Sequence, residues 1–171
     1  MHVRPAALSD AAAIASIYNA ASAARPAANL VTWQESVEDR IAWLEQMESD
    51  GYPVFVAVDD DEIIGWAAYF QFVTPAIYWG TVENSVYVAP SARGKGVGNE
   101  LMCAVMDDAK ENDYVQTMIT YIVDTNEASI ALHKKFRFEE TGRMPNIHTK
   151  DGVRLGLVHL QRHFDRSSSS M

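Results

Sequence analysis

Apolar residues recur along this chain in two rhythms, one helical and one alternating, and the exchange between them lays out its elements. Ile14, Ile17 and Tyr18 follow at helical spacing in an alanine-rich stretch, with Ser9-Asp10 as the helix start. Asn19 to Thr32 reads mostly as loop. Ser36, with Asp39 three positions on, predicts a capped helix whose apolar positions are Ile41, Trp43, Leu44 and Met47. His2 to Ala6, Pro53 to Val58 and Glu62 to Val73 read as strands, the last two joined as a hairpin at Asp59-Asp60-Asp61. Thr81 to Val88 is a further strand. Helix Val97 to Glu111, strand Val115 to Ile122 and helix Asn126 to Phe136 follow, then strands Phe138 to Met144 and Val153 to Gln161 around the turn Lys150-Asp151-Gly152. The order β-α-α-β-β-β-α-β-α-β-β predicts a mixed α/β sheet flanked by helices.

With 171 residues, 48% of them hydrophobic and 22% charged, the chain suits a single domain, expected over 1–165. The serine run Ser167 to Ser170 predicts a disordered tail over 166–171. A net charge of −9 disfavours nucleic acid or an anionic membrane as partner, because those affinities rest on clustered Lys and Arg. No apolar run approaches the ~18 residues of a membrane span and no basic-then-apolar leader follows Met1, so a cytoplasmic location is expected. Cys103, the single cysteine, excludes an internal disulfide and supplies no metal cluster; it reads as a packed thiol.

The strongest chemical signal is Arg93-Gly94-Lys95-Gly96-Val97-Gly98, between a strand and a helix. Glycines without Cβ let backbone N–H groups close on an anion, and the helix end adds its dipole, which suits a pyrophosphate. A P-loop needs Lys-Ser/Thr after its last glycine, whereas Asn99-Glu100 follow Gly98; a Rossmann fingerprint needs G-x-G-x-x-G. The pattern R-x-x-G-x-G, filled by Arg93, Gly96 and Gly98, resembles the coenzyme A pyrophosphate loop of the GNAT superfamily of N-acetyltransferases. Thr81-Val82-Glu83-Asn84-Ser85-Val86-Tyr87-Val88-Ala89-Pro90 and the block from Asn126 to Phe138, N-E-A-S-I-A-L-H-K-K-F-R-F, are similar to its phosphinothricin and methionine sulfoximine acetyltransferase family. The resemblance runs from about Val3 to His163.

That resemblance implies a GNAT fold with a mostly antiparallel twisted sheet, acetyl-CoA as cosubstrate, no metal, and a homodimer. It implies direct transfer in a ternary complex to the amino group of a small amino-acid-like molecule. A protein or peptide amine, or a non-catalytic acyl-CoA-binding module, are the alternatives. Cofactor contacts fall to Val86, Tyr87 and Val88, on a strand that parts from its neighbour, to Arg93, Gly94, Lys95, Gly96, Val97, Gly98 and Asn99, and to Asn126 and Ser129. At Gly98 the missing Cβ is expected to leave room for the pyrophosphate. Glu83 falls where the family has its base and His133 where it has a proton donor. Relatives acting on amino acid analogues carry two Arg before T-V-E; Val73 and Trp79 stand there, so an apolar or aromatic pocket from Phe70, Phe72, Tyr78 and Trp79, beside Glu83, becomes a candidate acceptor site. Arg137 replaces the family's Gly after the helix, and a local backbone adjustment is expected. On spacing alone, Val86 to Val88 equally fits a core strand, Glu83 a solvated face, His133 a surface or satisfied core residue, and the aromatics a core or dimer surface.

Overall fold

The computed structural model describes residues 1–26, 28–73 and 77–165, and the expected tail at 166–171 lies outside the described residues. Its elements are β1 (His2–Pro5), α1 (Ala11–Ala23), α2 (Val37–Ser49), β2 (Val54–Asp59), β3 (Glu62–Gln71), β4 (Thr81–Val88), α3 (Val97–Glu111), β5 (Thr117–Val123), α4 (Glu127–Lys135), β6 (Glu139–Lys150) and β7 (Val153–His163). Short 3₁₀ turns at Leu8–Asp10 and Pro90–Ala92, which the apolar pattern does not signal, complete the set.

One sheet holds all seven strands in the order β1-β2-β3-β4-β5-β7-β6, and only β4 and β5 pair in parallel. Two hairpins have turns of the kind the sequence suggests. Asp60 and Asp61, at φ 46° and 63°, sit between the paired Asp59 and Glu62; Asp151 and Gly152, at φ 52° and 79°, sit between the paired Lys150 and Val153. Left-handed backbone at both turn residues matches the twist of the flanking strands. Ser36 caps α2 as expected: its hydroxyl accepts from the Asp39 N–H at 3.0 Å, and the Asp39 carboxylate accepts from the Ser36 N–H at 2.9 Å.

Two boundaries depart from the sequence reading by more than two residues. Helix α1 continues through Ala23, because Ala20, Ala21 and Ala23 are strong helix formers and the Ser22 hydroxyl donates back to the Tyr18 carbonyl at 3.2 Å. Strand β6 runs on to Lys150 rather than ending at Met144. Its register slips between Glu140 and Gly142 and again between Met144 and His148, which hides the alternation.

Each face of the sheet carries its own core. On one, Leu101, Met102, Val105 and Met106 of α3 pack with Val82, Met118, Ile122 and Leu160, and α4 adds Ile130 and Leu132. On the other, Ile14 and Ile17 of α1 and Leu44 and Met47 of α2 cover Val56, Trp66 and Ala68. Burying each such side chain contributes about 1.5 to 3 kcal/mol, so the two layers hold the helices to the sheet.

The segment leaving α1 is tied down from a distance. The buried Lys150 ammonium, at the end of β6, donates to the carbonyls of Ser22 at 2.6 Å, Asn29 at 3.1 Å and Val31 at 2.6 Å. Lys150→Met strips three carbonyls of their donor, and a buried unpaired group costs about 1 to 3 kcal/mol. Urea titration is expected to show a loss of about 2 kcal/mol, with faster amide exchange around Asn29 and Val31. An unchanged midpoint shows that water replaces the clip.

Candidate active site

Strands β4 and β5 pair at Thr81 with Thr117, Val82 with Met118 and Glu83 with Ile119, and there the pairing stops. Beyond it β5 stays bonded to β7 through Val123, while β4 stays bonded to β3 through Val88. A gap therefore opens between them. In an antiparallel ladder the backbone groups of successive residues point to opposite sides. The Ala89 N–H donates to Ile64 of β3 at 2.9 Å, so Val88 and Val86 present theirs to the gap. The Val88 carbonyl is met there by Arg93 Nε at 3.4 Å. These are the strand amides expected to part from a neighbour.

The loop closing the gap carries left-handed Gly94 (φ 74°) and Gly96 (φ 84°), and a Cβ on either would meet nothing within 4 Å. Gly96 caps α3, so the Val97 and Gly98 N–H groups lack intrahelical partners and face the loop with the positive end of the helix dipole. The side chain of Val97 lies in the core. Asn99 faces α4, its carboxamide oxygen accepting from Lys135 Nζ at 2.6 Å.

Gly98 corrects one expectation. A Cβ there would stand 3.1 Å from Leu132 Cδ2 and 3.7 Å from Val88 Cγ2, so its missing side chain lets α3 approach α4 and β4. Asn126 is occupied differently too, its side-chain oxygen accepting from the Ser129 N–H at 3.2 Å as the cap of α4.

Side chains of β4 alternate between the two faces. Glu83, Ser85 and Tyr87 line a cleft of about 530 Å³ on the α1/α2 face, walled by Tyr18, Trp33, Trp43, Trp66 and Phe70. Tyr87 stacks on Trp66 at 4.7 Å, so its side chain belongs to this cleft, away from the glycine loop. Arg40 lies beneath the rings, 3% exposed, its guanidinium 4.9 Å from the Tyr18 ring, 4.5 Å from Trp43 and 5.2 Å from Trp66, and ion-paired with Glu35. Burial alone pushes the Glu83 carboxyl above its ordinary pKa.

The other expected pocket residues divide. Phe72 meets Tyr78 at 5.0 Å and Tyr121 at 6.4 Å, and none of the three lines the cleft. Val73 and Trp79 are 65% and 62% exposed, line no part of the cleft, and Trp79 rests its edge on Tyr114. Of the expected set only Phe70 and Glu83 face the cleft.

His133 is the larger correction. It is 2% exposed, on the α3/α4 side of the sheet, opposite the face that Glu83 occupies. Arg137 takes the left-handed conformation itself, at φ 62°, its N–H donating to Lys134 at 3.0 Å and the Phe138 N–H donating to His133 at 3.1 Å. This helix stop packs Phe138 edge-on against the His133 ring at 5.1 Å. The ring Nδ1 donates to the Ser129 carbonyl at 2.8 Å, Nε2 is buried without a partner among the described residues, and burial pushes the pKa down to about 4. A proton donor must reach its substrate, and among the described residues this ring is enclosed.

Tyr18, Trp33, Glu35, Arg40, Trp43, Trp66 and the Tyr87 side chain were not singled out as site residues from sequence. Of these, Tyr18 and Trp43 read only as apolar positions of their helices. Among the described residues no group of three or more His, Cys, Asp or Glu comes together as a metal site.

The sequence profile of the acetyltransferase (GNAT) family matches residues 14–138. An L-methionine sulfoximine/L-methionine sulfone acetyltransferase of Pseudomonas paraeruginosa is 36% identical over 98% of this chain and 97% of its own. A phosphinothricin acetyltransferase of Sinorhizobium meliloti, solved with acetyl-CoA, superposes with a TM-score of 0.88 at 28% identity, covering 99% of this chain and 91% of that one. A ribosomal-protein-alanine N-acetyltransferase of Brucella melitensis superposes with a TM-score of 0.89 at 34% identity, covering 96% and 100%.

Two outcomes are expected of this geometry. Gly98→Val overpacks the α3/α4 contact and lowers the melting temperature, by about 1 to 3 kcal/mol in stability, in the absence of any ligand; an undisturbed melt returns Gly98 to the ligand cradle. His133, neutral when folded and more basic when unfolded, contributes stability above about pH 6.5 that is lost as pH falls toward about 4. Over that window the loss amounts to about 3 kcal/mol at most, and His133→Gln is expected to flatten it in pH-dependent urea titrations.

Proposed function

Since this chain belongs to the acetyltransferase (GNAT) family, we propose that it transfers the acetyl group of acetyl-CoA to the amine of a small amino-acid-like molecule. One observation carries the reading: Glu83, at the last paired position of β4, faces an aromatic cleft while the next amides of the same strand face the gap. Acetyl-CoA fits this side of the molecule. Gly94 and Gly96 leave open space for its pyrophosphate, the α3 N-terminus with Arg93 and Lys95 supplies donors and charge, and the Val86 and Val88 amides suit its amide arm and thioester carbonyl. Bound there, it supplies the activated acetyl group.

The acceptor enters the α1/α2 cleft. Its ammonium must lose a proton to attack, and Glu83, made more basic by burial, takes it. The tetrahedral oxygen is held by backbone N–H donors at the gap, and collapse releases coenzyme A. We leave His133 out of the proton path. The rings around Arg40 suit an apolar or aromatic acceptor side chain, and Glu35 neutralises the one cation among the cleft's lining residues, which disfavours an acidic one. A cleft of about 530 Å³ supports a small acceptor over a folded protein surface, although the Brucella enzyme's name keeps a protein amine as the second reading.

The active unit is inferred to be a homodimer, as the family resemblance implies, of single-domain chains in the cytoplasm, and the reaction invokes no metal. No helix among the described residues is long and apolar enough to cross a membrane.

Free-thiol release should be measured across amino acids, their sulfoximine and phosphinic analogues, polyamines and short peptides. Turnover is expected with small amines bearing neutral side chains; turnover with peptides alone overturns the small-molecule reading. Glu83→Gln is expected to lower kcat/KM about 10²- to 10⁴-fold at neutral pH, with part of the loss recovered at higher pH as more acceptor becomes neutral. In the parent protein kcat/KM falls as pH drops through the raised Glu83 pKa, since the protonated carboxyl accepts nothing. Undiminished turnover in Glu83→Gln removes the base.

A further inference from the structure

Breaking the thioester sends an electron pair onto sulfur, and the enclosed His133 cannot meet it. The other side of the gap offers a different group. Ile119 is the β5 partner of Glu83 and shares its face, and alternation puts Tyr121, two positions on, on that face as well. Tyr121 lies beyond the last β4–β5 pair, on the β5 strand that borders the gap and on the sheet face that Glu83 occupies, and is 37% exposed. It is held in place: the ring stacks on His159 of β7 at 4.8 Å and meets Phe72 at 6.4 Å on the β3 side. The charged and titratable groups facing it are Glu83, Tyr78 and His159, the last bonded through Nδ1 to Thr141 Oγ1 at 2.6 Å.

We propose that Tyr121 is the proton donor to the departing coenzyme A sulfur and works as a pair with Glu83. This rests on the acetyltransferase reading above. Once Glu83 has passed the ammonium's first proton on to water, the C–N bond forms and the C–S bond breaks; the second amine proton goes to Glu83, and the phenol proton goes to sulfur. Glu83 then returns its proton to the phenolate, directly or through water, so one proton has moved from amine to thiol and both side chains are restored. Burial, Glu83 and Tyr78 hold the phenol pKa above its ordinary value, so the O–H is intact at neutral pH.

Tyr121→Phe keeps the ring contacts and removes the O–H. The expected result is a kcat about 10- to 100-fold lower, with acetyl-CoA affinity by calorimetry and acceptor KM within about twofold of the parent. A second readout needs no turnover. The thiol of bound coenzyme A, near ~8.5 when free by analogy with cysteine, is titrated by its thiolate absorbance. A phenol donating to the thiolate lowers that pKa, so the value is expected to rise in Tyr121→Phe. Unchanged kcat, a loss confined to acceptor KM, or an identical thiol titration overturns the assignment. Acetyl-CoA binding without turnover in the parent protein overturns the enzyme reading alone, because the titration still decides Tyr121; no acetyl-CoA binding overturns both.

Discussion

Beyond Glu83 and Ile119, two parallel strands that share a sheet cease to share hydrogen bonds, and the rest of the molecule is arranged around that break. Backbone N–H and C=O groups left without partners are costly wherever water is excluded, by about 1 to 3 kcal/mol each. The fold meets part of that demand itself, with Arg93 reaching the Val88 carbonyl, and on the proposed reading acetyl-CoA meets the rest. An extended amide-bearing chain laid in the gap acts as the missing strand. The glycine loop and the α3 N-terminus at the end of β4 then fall where the anionic end of such a ligand arrives, which joins two features far apart in chemistry by one backbone geometry.

Attraction at that loop is local. The chain carries a net charge of −9, so a polyanion meets overall repulsion at long range, screened beyond about 8 to 10 Å at physiological salt. What competes is short-range: free amides at Gly94 to Gly98, the helix dipole, and the side chains of Arg93 and Lys95. Oriented backbone donors keep their geometry whatever the surface charge, so the acidic surface costs association rate more than it costs the bound state.

Elements whose causes are local were legible in the sequence. The Ser36–Asp39 box, both left-handed turns and the glycine loop each depend on a few neighbouring residues, and each stands where the pattern puts it. What was not legible depends on partners distant in sequence. Arg40 carries no signal in its neighbouring residues; its place is set by Tyr18, Trp43 and Trp66, which surround it, and by Glu35, which neutralises it. His133 follows the helix face and family position of a proton donor, but its environment is decided by the Arg137 stop that folds Phe138 onto it. Val73 and Trp79 match the family's positions in line while standing outside the cleft in space.

A single register ties the chemistry together. On β4 side-chain direction and backbone direction both repeat every two residues, so residues of one parity differ from the other in both respects. Glu83, Ser85 and Tyr87 send side chains to the α1/α2 cleft and bond β3 through their backbones; Val86 and Val88 send side chains to the α3 core and turn their amides to the gap. On the proposed reading, acceptor chemistry and cofactor binding occupy alternate residues of one strand, separated by the thickness of the sheet. A slip by one residue would exchange the two sets, burying Glu83 under α3 and closing the free amides against β3. The pairing of β4 with β3, from Val82 opposite Gln71 to Val88 opposite Gly65, prevents it, because Val82 is wholly buried in the α3 core and tolerates no charge in its place. The hydrophobic pattern that selects the fold is therefore also what aims the carboxylate.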